Sequence, residues 1–219
     1  MRKVDWKIIV ITTAITWSPM IVGAILYQDM PKMIASHFNI YGQPDAYMPK
    51  EIILFVLPFI MGLLQIFTCY LNDVRNIDAL QKPKVEYIAK FIIPVLSFIV
   101  YFLSISYSIG IHYDMRLVMM MLIGSIFILI GNYLPKTSGT YKTKVALFSK
   151  NKDSKLYNFD PVLRKKMYRV QGITFVLFGF LCILSVLLPA EYSFGVIILL
   201  LIVSLLEATW FILRIYRKD

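Results

Sequence analysis

The sequence predicts an all-α polytopic membrane protein with six transmembrane helices. The chain has 219 residues, of which 58% are hydrophobic and 16% charged, and its mean hydropathy is +0.69. Soluble domains carry about a quarter charged residues. The apolar residues also occur in blocks of about twenty, the length that a helix needs to cross a hydrocarbon core of roughly 30 Å. Residues 1–219 are therefore predicted to form a single integral membrane domain.

Each apolar block is predicted to be a helix, because a bilayer offers no water to unpaired backbone groups. Proline removes a backbone donor, so Pro19, Pro58 and Pro94 are predicted to kink the helices that contain them. Short connections predict that the third and fourth spans, and the fifth and sixth, are antiparallel neighbours. The predicted spans are 8–27, 51–71, 89–110, 115–134, 170–188 and 194–213.

The basic residues predict the orientation of these spans. The two terminal segments and the connectors 72–90 and 135–169 together carry 20 of the 23 Lys and Arg residues. The opposite side carries only three, Lys32, Lys50 and Arg116. Because positive residues are retained on the cytoplasmic side, both termini are predicted to be cytoplasmic. The loop of residues 28–50 is then extracellular.

This polar loop is the segment most suited to specific recognition. Asp29 and Pro31 have the residue types of a helix cap and first turn, which predicts a short helical turn after the first span. The string from Tyr41 to Asp45 is rich in turn residues, since Gly42 permits positive φ and Pro44 fixes its own φ. Lys50 is predicted to stand at the start of the second span.

The loop resembles that of the SdpI family of bacterial membrane proteins, which includes an immunity protein against a sporulation-delaying toxin. Members typically carry Pro-x-x-Ile/Met-x-x-His-Phe/Trp-Asn-x-x-Gly-x-Pro-Asp-x-Tyr/Trp-x-x-Lys after the first span. The matching residues here are Pro31, Ile34, His37, Phe38, Asn39, Gly42, Pro44, Asp45, Tyr47 and Lys50. A second, weaker match is the string Ile130-Gly131-Asn132-Tyr133 at the end of the fourth span.

The chain departs from the family in the next cytoplasmic segment. Members closest to the immunity protein have a Gly-Ile-Arg-Thr-Pro-Trp-Thr-like motif there, whereas this chain continues from Thr140 with Tyr-Lys-Thr-Lys-Val-Ala. The resemblance implies a six-span scaffold in a bacterial plasma membrane, together with immunity to, or sensing of, an extracellular antimicrobial peptide.

The loop has two interpretations. It is either an ordered cap folded over the helix ends or a ligand surface. In the second case the candidate binding residues are His37, Phe38, Asn39, Gly42, Pro44, Asp45 and Lys50. His37, Asp45, His112 and Asp114 all lie on the predicted outer side, yet no metal-ligand spacing relates them. The sequence therefore predicts no metal and no cofactor.

Glu207 is the one carboxylate well within a predicted span. An ionisable group in hydrocarbon costs about 2.5–3.5 kcal/mol on insertion scales, so it usually faces the bundle or has a partner. Either Glu207 contacts a proton or substrate in a central cavity, or it pairs with a basic or hydroxyl neighbour.

The segment 135–169 carries ten basic residues and is predicted to be a cytoplasmic loop. Asp160-Pro161 is typical of a helix start, and the candidate basic surface that follows consists of Arg164, Lys165, Lys166 and Arg169. Anionic lipid attracts such residues by about 1 kcal/mol each, and docking of a cytoplasmic regulatory protein is the alternative. A nucleic-acid partner is not predicted, because the segment is short and tethered to membrane at both ends.

Catalytic motifs are not found in the sequence. It contains no His-Glu-x-x-His, Gly-x-Ser-x-Gly or Walker pattern, so the protein is predicted to be non-enzymatic. The leading hypothesis is an SdpI-like protein that confers immunity to, or senses, an extracellular peptide. The alternatives are a small transporter that uses Glu207 and a scaffold subunit of a membrane complex.

Overall fold

The computed structural model describes residues 4–75, 84–137 and 161–216. Helices α1 (Trp6–Trp17) and α2 (Pro19–Ile25) are followed by strands β1 (Met33–Phe38) and β2 (Pro44–Pro49). A π-helical turn, Ile52–Val56, leads directly into α3 (Leu57–Arg75). The remaining elements are α4 (Lys84–Ser108), α5 (Met115–Tyr133), a 3₁₀ turn at Leu134–Thr137, α6 (Pro161–Ser185) and α7 (Ala190–Tyr216).

The predicted spans correspond to helices in the described parts of the chain. Six helices there are long and apolar enough to cross a membrane, which confirms the predicted fold class. Most of their bounds differ from the predicted ones by a few residues. The largest difference is the fifth span, which begins at Val162 and not at residue 170. Pro161 favours a helix start there, and residues 161–169 therefore belong to α6 and not to the connector.

The three prolines within spans each free a backbone carbonyl four residues earlier, because proline has no N–H to donate. In each case a side chain donates to the freed carbonyl. Ser18 Oγ donates to Ile15 O at 3.0 Å, Tyr101 Oη to Leu54 O at 3.4 Å, and Gln65 Nε2 to Lys90 O at 2.7 Å. Only Pro19 splits its span into two helices, whereas Pro58 follows the π-helical turn and Pro94 lies inside α4.

The segment after the first span is a β-hairpin, and the predicted short helical turn at Asp29 and Pro31 is wrong. Strands β1 and β2 pair antiparallel, from Met33 opposite Pro49 to Phe38 opposite Pro44, with irregular register around His37. The two prolines stand at the ends of β2, where a missing N–H interrupts no central ladder bond.

The described residues fall into two compact units. The first unit contains α1, α2, the hairpin, the π-helical turn, α3, α4 from Glu86, and the chain as far as Val118. Its core is built from buried residues of the hairpin, the π-helical turn and α4, among them Ile34, Leu54 and Ile105. The second unit contains α5 from Met119 together with α6 and α7.

In the second unit, α5 and α6 approach closely at glycines. A Cβ added to Gly124 would lie 2.6 Å from the carbonyl oxygen of Gly179, and one added to Gly131 would lie 2.6 Å from that of Gly172. Each pair of glycines on one helix is seven residues apart, so both fall on the same face. Small residues of this kind permit backbone contact between membrane helices.

Candidate functional site

Asn39 organises the loop of the hairpin. Its side-chain Oδ1 accepts hydrogen bonds from the backbone N–H groups of Tyr41 and Gln43, at 3.0 and 3.1 Å. Gly42 N–H donates to Asn39 O at 2.9 Å, and Gly42 has a φ of +75°, which glycine adopts without steric cost. A Cβ at Gly42 would also lie 3.0 Å from the backbone nitrogen of Arg116, so this position needs glycine for space as well.

The first half of β1 is anchored by two successive buried residues. Ile34 and Ala35 are 0% and 3% exposed. Phe38 packs edge-on against Tyr107 of α4, with ring centroids 5.0 Å apart, and Tyr107 contacts the His112 ring at 4.7 Å. Phe38 is therefore part of the packing that attaches the hairpin to the helices.

Lys50 closes the base of the hairpin. Its Nζ donates to the carbonyl oxygen of Tyr27 at 2.6 Å and lies 4.0 Å from the centre of the Tyr27 ring. The Tyr27 hydroxyl donates to Glu51 Oε1 at 2.6 Å. This hydrogen bond is the main cause that lowers the pKa of Glu51 and raises the pKa of Tyr27. Lys50 thus has a structural role at the start of the second span.

His37 and Asp45 face outward and contact each other across the two strands. His37 Nδ1 and Asp45 Oδ1 lie 2.5 Å apart, while the two side chains remain 68% and 43% exposed. The five residues of β2 that follow Pro44 are all exposed. The hairpin therefore presents a polar pair on an open strand, whereas Phe38, Asn39, Gly42 and Lys50 make internal contacts.

The structure does not unite the histidines and carboxylates of the outer loops. His37 pairs with Asp45, His112 packs on Tyr107, and the Asp114 carboxylate accepts from the backbone N–H of Leu117 at 3.0 Å. Within the described ranges, no three His, Cys, Asp or Glu side chains are grouped as they would be to hold a metal ion.

Glu207 has the hydroxyl neighbour that one of the two interpretations expected. Thr174 Oγ1 donates to Glu207 Oε1 at 2.5 Å, within the second unit. The other carboxylate oxygen, Oε2, is buried and has no hydrogen-bond partner among the described residues.

The candidate basic surface at the start of α6 is smaller than predicted. Lys165, Lys166 and Arg169 are exposed, but Arg164 is only 9% exposed. Arg164 directly follows Leu163, which is buried against Phe211, and both residues belong to the buried part of the first turns of α6. Arg164 is therefore not part of an exposed basic surface.

A buried ion pair in the first unit was not predicted. Lys90 Nζ lies 2.8 Å from Asp73 Oδ1, and both side chains are 1% exposed. Asp73 Oδ2 also accepts from the backbone N–H of Asp5 at 2.9 Å. The count of basic residues placed Lys90 in the 72–90 connector, yet it lies inside α4. The sequence gives one signal for this pair: Asp73 lies near the end of the second span, and Lys90 lies near the start of the third.

Fold and site together define a class: a helical, multi-pass membrane protein with an ordered hairpin between its first and second spans. A family model described as "Domain of unknown function (DUF1648)" matches residues 14–62, and this domain is found in SdpI-like membrane proteins. The matched segment runs from α1 to α3 and includes the whole hairpin. No curated protein and no solved structure matches the chain.

Proposed function

We propose that the protein is an SdpI-like component of a bacterial plasma membrane that binds an extracellular antimicrobial peptide and confers immunity to it or senses it. In this proposal both termini are cytoplasmic, the hairpin of residues 33–49 faces outward, and binding involves no catalysis. The observation that carries the proposal is the exposed pair His37 and Asp45 on an otherwise well-packed hairpin.

An exposed pair of this kind contributes little to folding. Solvent-exposed ion pairs typically stabilise a protein by about 0–1 kcal/mol, so stability alone does not account for the pair. The pair carries one acceptor-rich carboxylate and one imidazole ring whose nitrogens can donate or accept a hydrogen bond. These groups suit the backbone amides and basic side chains of a peptide.

The open edge of β2 supports a specific mode of binding. In the part of the chain that the structure describes, β2 pairs with β1 on one side only, and alternate backbone groups of an edge strand point away from its partner. An extended peptide can add to such an edge through main-chain hydrogen bonds. Asp45 and Tyr47 would then set which peptides are accepted.

The cytoplasmic end of α6 supplies a second contact in the proposal. Lys165, Lys166 and Arg169 are exposed and fit either anionic lipid or a regulatory protein. Lipid attraction of about 1 kcal/mol per basic residue is sufficient to explain them, so a protein partner is needed only for the sensing form of the proposal.

A survival assay tests the proposed function. Cells of a sensitive strain that express the chain are challenged with a panel of secreted antimicrobial peptides. We expect the wild-type chain to raise the tolerated concentration of at least one peptide. His37→Ala and Asp45→Ala should each reduce that protection about tenfold, the effect of losing roughly 1.4 kcal/mol of binding energy.

The control is Lys32→Ala, which removes an exposed charge immediately before β1 and should leave protection unchanged. Membrane levels and thermal unfolding of all variants are compared with those of the wild type. Unchanged sensitivity to the whole panel, with the wild-type protein present in the membrane, contradicts the proposal. The transporter and scaffold alternatives stay predictions. Flux into proteoliposomes, compared between the wild type and Glu207→Gln, tests the transporter. A pull-down from detergent extracts tests the scaffold subunit.

A further inference from the structure

The first unit contains a half-open cavity of about 250 Å³, which the hairpin residue Ser36 helps to line. Strand β1 and helices α1, α3 and α4 contribute its walls. The apolar part of the wall includes Ile53, Leu57, Met61 and Val100. An engineered cavity of about 150 Å³ binds benzene, so this one has room for a ligand of about ten non-hydrogen atoms.

Several residues that carry hydroxyl groups line the cavity. Thr16 Oγ1 donates to a carbonyl of its own helix at 2.9 Å, and Tyr101 Oη donates to Leu54 O at 3.4 Å. Ser36 Oγ and Ser97 Oγ are buried, and neither has a hydrogen-bond partner among the described residues. Unsatisfied buried hydroxyls are costly, so two of them on one cavity indicate a ligand that bonds to them.

The wall carries no acidic or basic side chain among its lining residues. A charged ligand would lose its hydration there without compensation, which favours an uncharged one. The wall also includes Ile53 of the π-helical turn at Ile52–Val56. Single π-helical turns inside helices frequently occur at functional sites.

We propose that this cavity binds a small uncharged amphiphile, an alkyl chain that ends in one hydroxyl or carbonyl group. The chain would lie against Leu57, Met61 and Val100, and its polar end would bond to Ser36 Oγ and Ser97 Oγ. This site is distinct from the outward pair on the hairpin, because Ser36 lines the cavity whereas the His37 side chain is 68% exposed. The inference therefore does not rest on the proposed function.

Photolabelling of the full chain in lipid nanodiscs tests the site. The probes are a diazirine analogue of 1-octanol and the matching diazirine analogue of n-octane. We expect the alcohol probe to label Met61 and Val100 saturably, with excess 1-octanol displacing it. The hydrocarbon probe should label them about tenfold less. Leu206 of α7, which is 64% exposed, should be labelled without saturation by both probes.

Two variants separate the polar contact from the space itself. In Ser36→Ala with Ser97→Ala, alcohol labelling should fall to the level of the hydrocarbon probe. In Val100→Trp, which fills the cavity, both probes should lose their saturable labelling. Labelling of Leu206 and thermal unfolding show whether each variant is folded. If Val100→Trp does not fold, displacement of the alcohol probe by 1-octanol in the wild-type chain tests whether the site exists.

Two results would overturn the proposal. Labelling of the cavity residues that is non-saturable, like that of Leu206, would show that no binding site exists. Equal saturable labelling by the two probes in the wild-type chain would assign the cavity to hydrocarbon chains of bilayer lipid and remove the role of the two serines.

Discussion

At the scale of single residues, the hairpin motif separates into two groups with different physical roles. Phe38, Asn39 and Gly42 fold the loop and pack it on the helices. His37 and Asp45 pair with each other and stay exposed. The first group accounts for an ordered cap, and the second remains available for recognition. The interpretation as an ordered cap thus applies to the first group, and the ligand surface stays a prediction for the second.

Gly42 should tolerate replacement less well than Gly110, the other glycine of the first unit that has a positive φ. Gly42→Ala places a side chain at positive φ, which costs about 1–2 kcal/mol, and also drives a Cβ towards the backbone of Arg116. Gly110 has a φ of +93° but nothing within 4 Å of an added Cβ, so Gly110→Ala adds only the first cost. Thermal unfolding in detergent should show a clearly larger loss for Gly42→Ala, about 3 kcal/mol in total. Equal losses would contradict the packing of this loop on Arg116.

The Tyr27–Glu51 hydrogen bond should stabilise the hairpin base within a defined pH window. The pKa of Glu51 is lowered from 4.5, so its contribution is complete above that value and is lost as pH falls through the lowered pKa. The pKa of Tyr27 is raised from 10.0, so its contribution is complete below that value and is lost as pH rises through the raised pKa. The protection of the Lys50 amide against hydrogen exchange, taken relative to the intrinsic exchange rate at each pH, should therefore be greatest between the two ordinary values.

The Tyr27→Phe variant serves as the control for this pH window. It removes the hydrogen bond, so exchange at Lys50 should become faster at neutral pH and approach the wild-type rate at both extremes. If the pH profile of exchange at Lys50 is the same in Tyr27→Phe as in the wild type, the Tyr27–Glu51 hydrogen bond does not hold the base of the hairpin.

At the scale of elements, the helices of the first unit depend on side chains that replace missing backbone donors. Pro94 leaves the Lys90 carbonyl without its helical N–H, and Gln65 from α3 donates to it at 2.7 Å. Interhelical hydrogen bonds of this type contribute about 0.6 kcal/mol on average in membranes and at most about 1.7. Gln65 thus joins α3 to α4 at the point where α4 is weakest.

A double-mutant cycle measures this role. Gln65→Met should destabilise the wild-type chain by about 1 kcal/mol more than it destabilises the Pro94→Ala variant, because alanine in place of the proline restores a backbone donor to the carbonyl. Loss of the Gln65 bond to Cys69 Sγ occurs in both backgrounds and cancels. Unfolding in mixed detergent micelles gives the four free energies. Strictly additive costs would show that the donated bond has no energetic role.

The hairpin shows where sequence patterns were insufficient. The turn residues between Tyr41 and Asp45 predicted the position of the loop to within a few residues, because the observed loop closes between Asn39 and Gln43. The strands were missed because β2 has a proline at each end and few residues that favour strands. What holds β1 in place is burial of Ile34 and Ala35 against distant helices, which no local pattern reveals.

At the scale of the whole molecule, hydropathy was enough to locate the spans, because each must be long and apolar to cross a bilayer. Hydropathy averaged over a window concealed the ion pair of Asp73 and Lys90, because charged residues near the ends of spans are assigned to connectors. Pairing is what permits their burial, and the partner of each lies on another helix. Closely packed glycines were likewise invisible until the helix neighbours were known.

The glycine contacts of the second unit give a matched test of its packing. Gly131→Ala directs a Cβ at the Gly172 carbonyl at 2.6 Å, and neither backbone can move cheaply. We expect a loss of about 1–3 kcal/mol in the free energy of unfolding. Gly195→Ala lies inside α7 with nothing within 4 Å, so it should cause no loss and should stabilise the chain by up to about 1 kcal/mol. A similar effect of both substitutions would contradict close packing of α5 on α6.

The proposed recognition of an external peptide depends on which side of the membrane the hairpin occupies. Impermeant thiol labelling of intact cells reads this directly, in a background where Cys69 and Cys182 are replaced by alanine. Tyr41→Cys places the thiol at an exposed position of the hairpin loop, and Lys165→Cys places it at an exposed position of α6. The account predicts that the first is modified in intact cells and the second only after lysis. Modification of Lys165→Cys but not Tyr41→Cys in intact cells would contradict it.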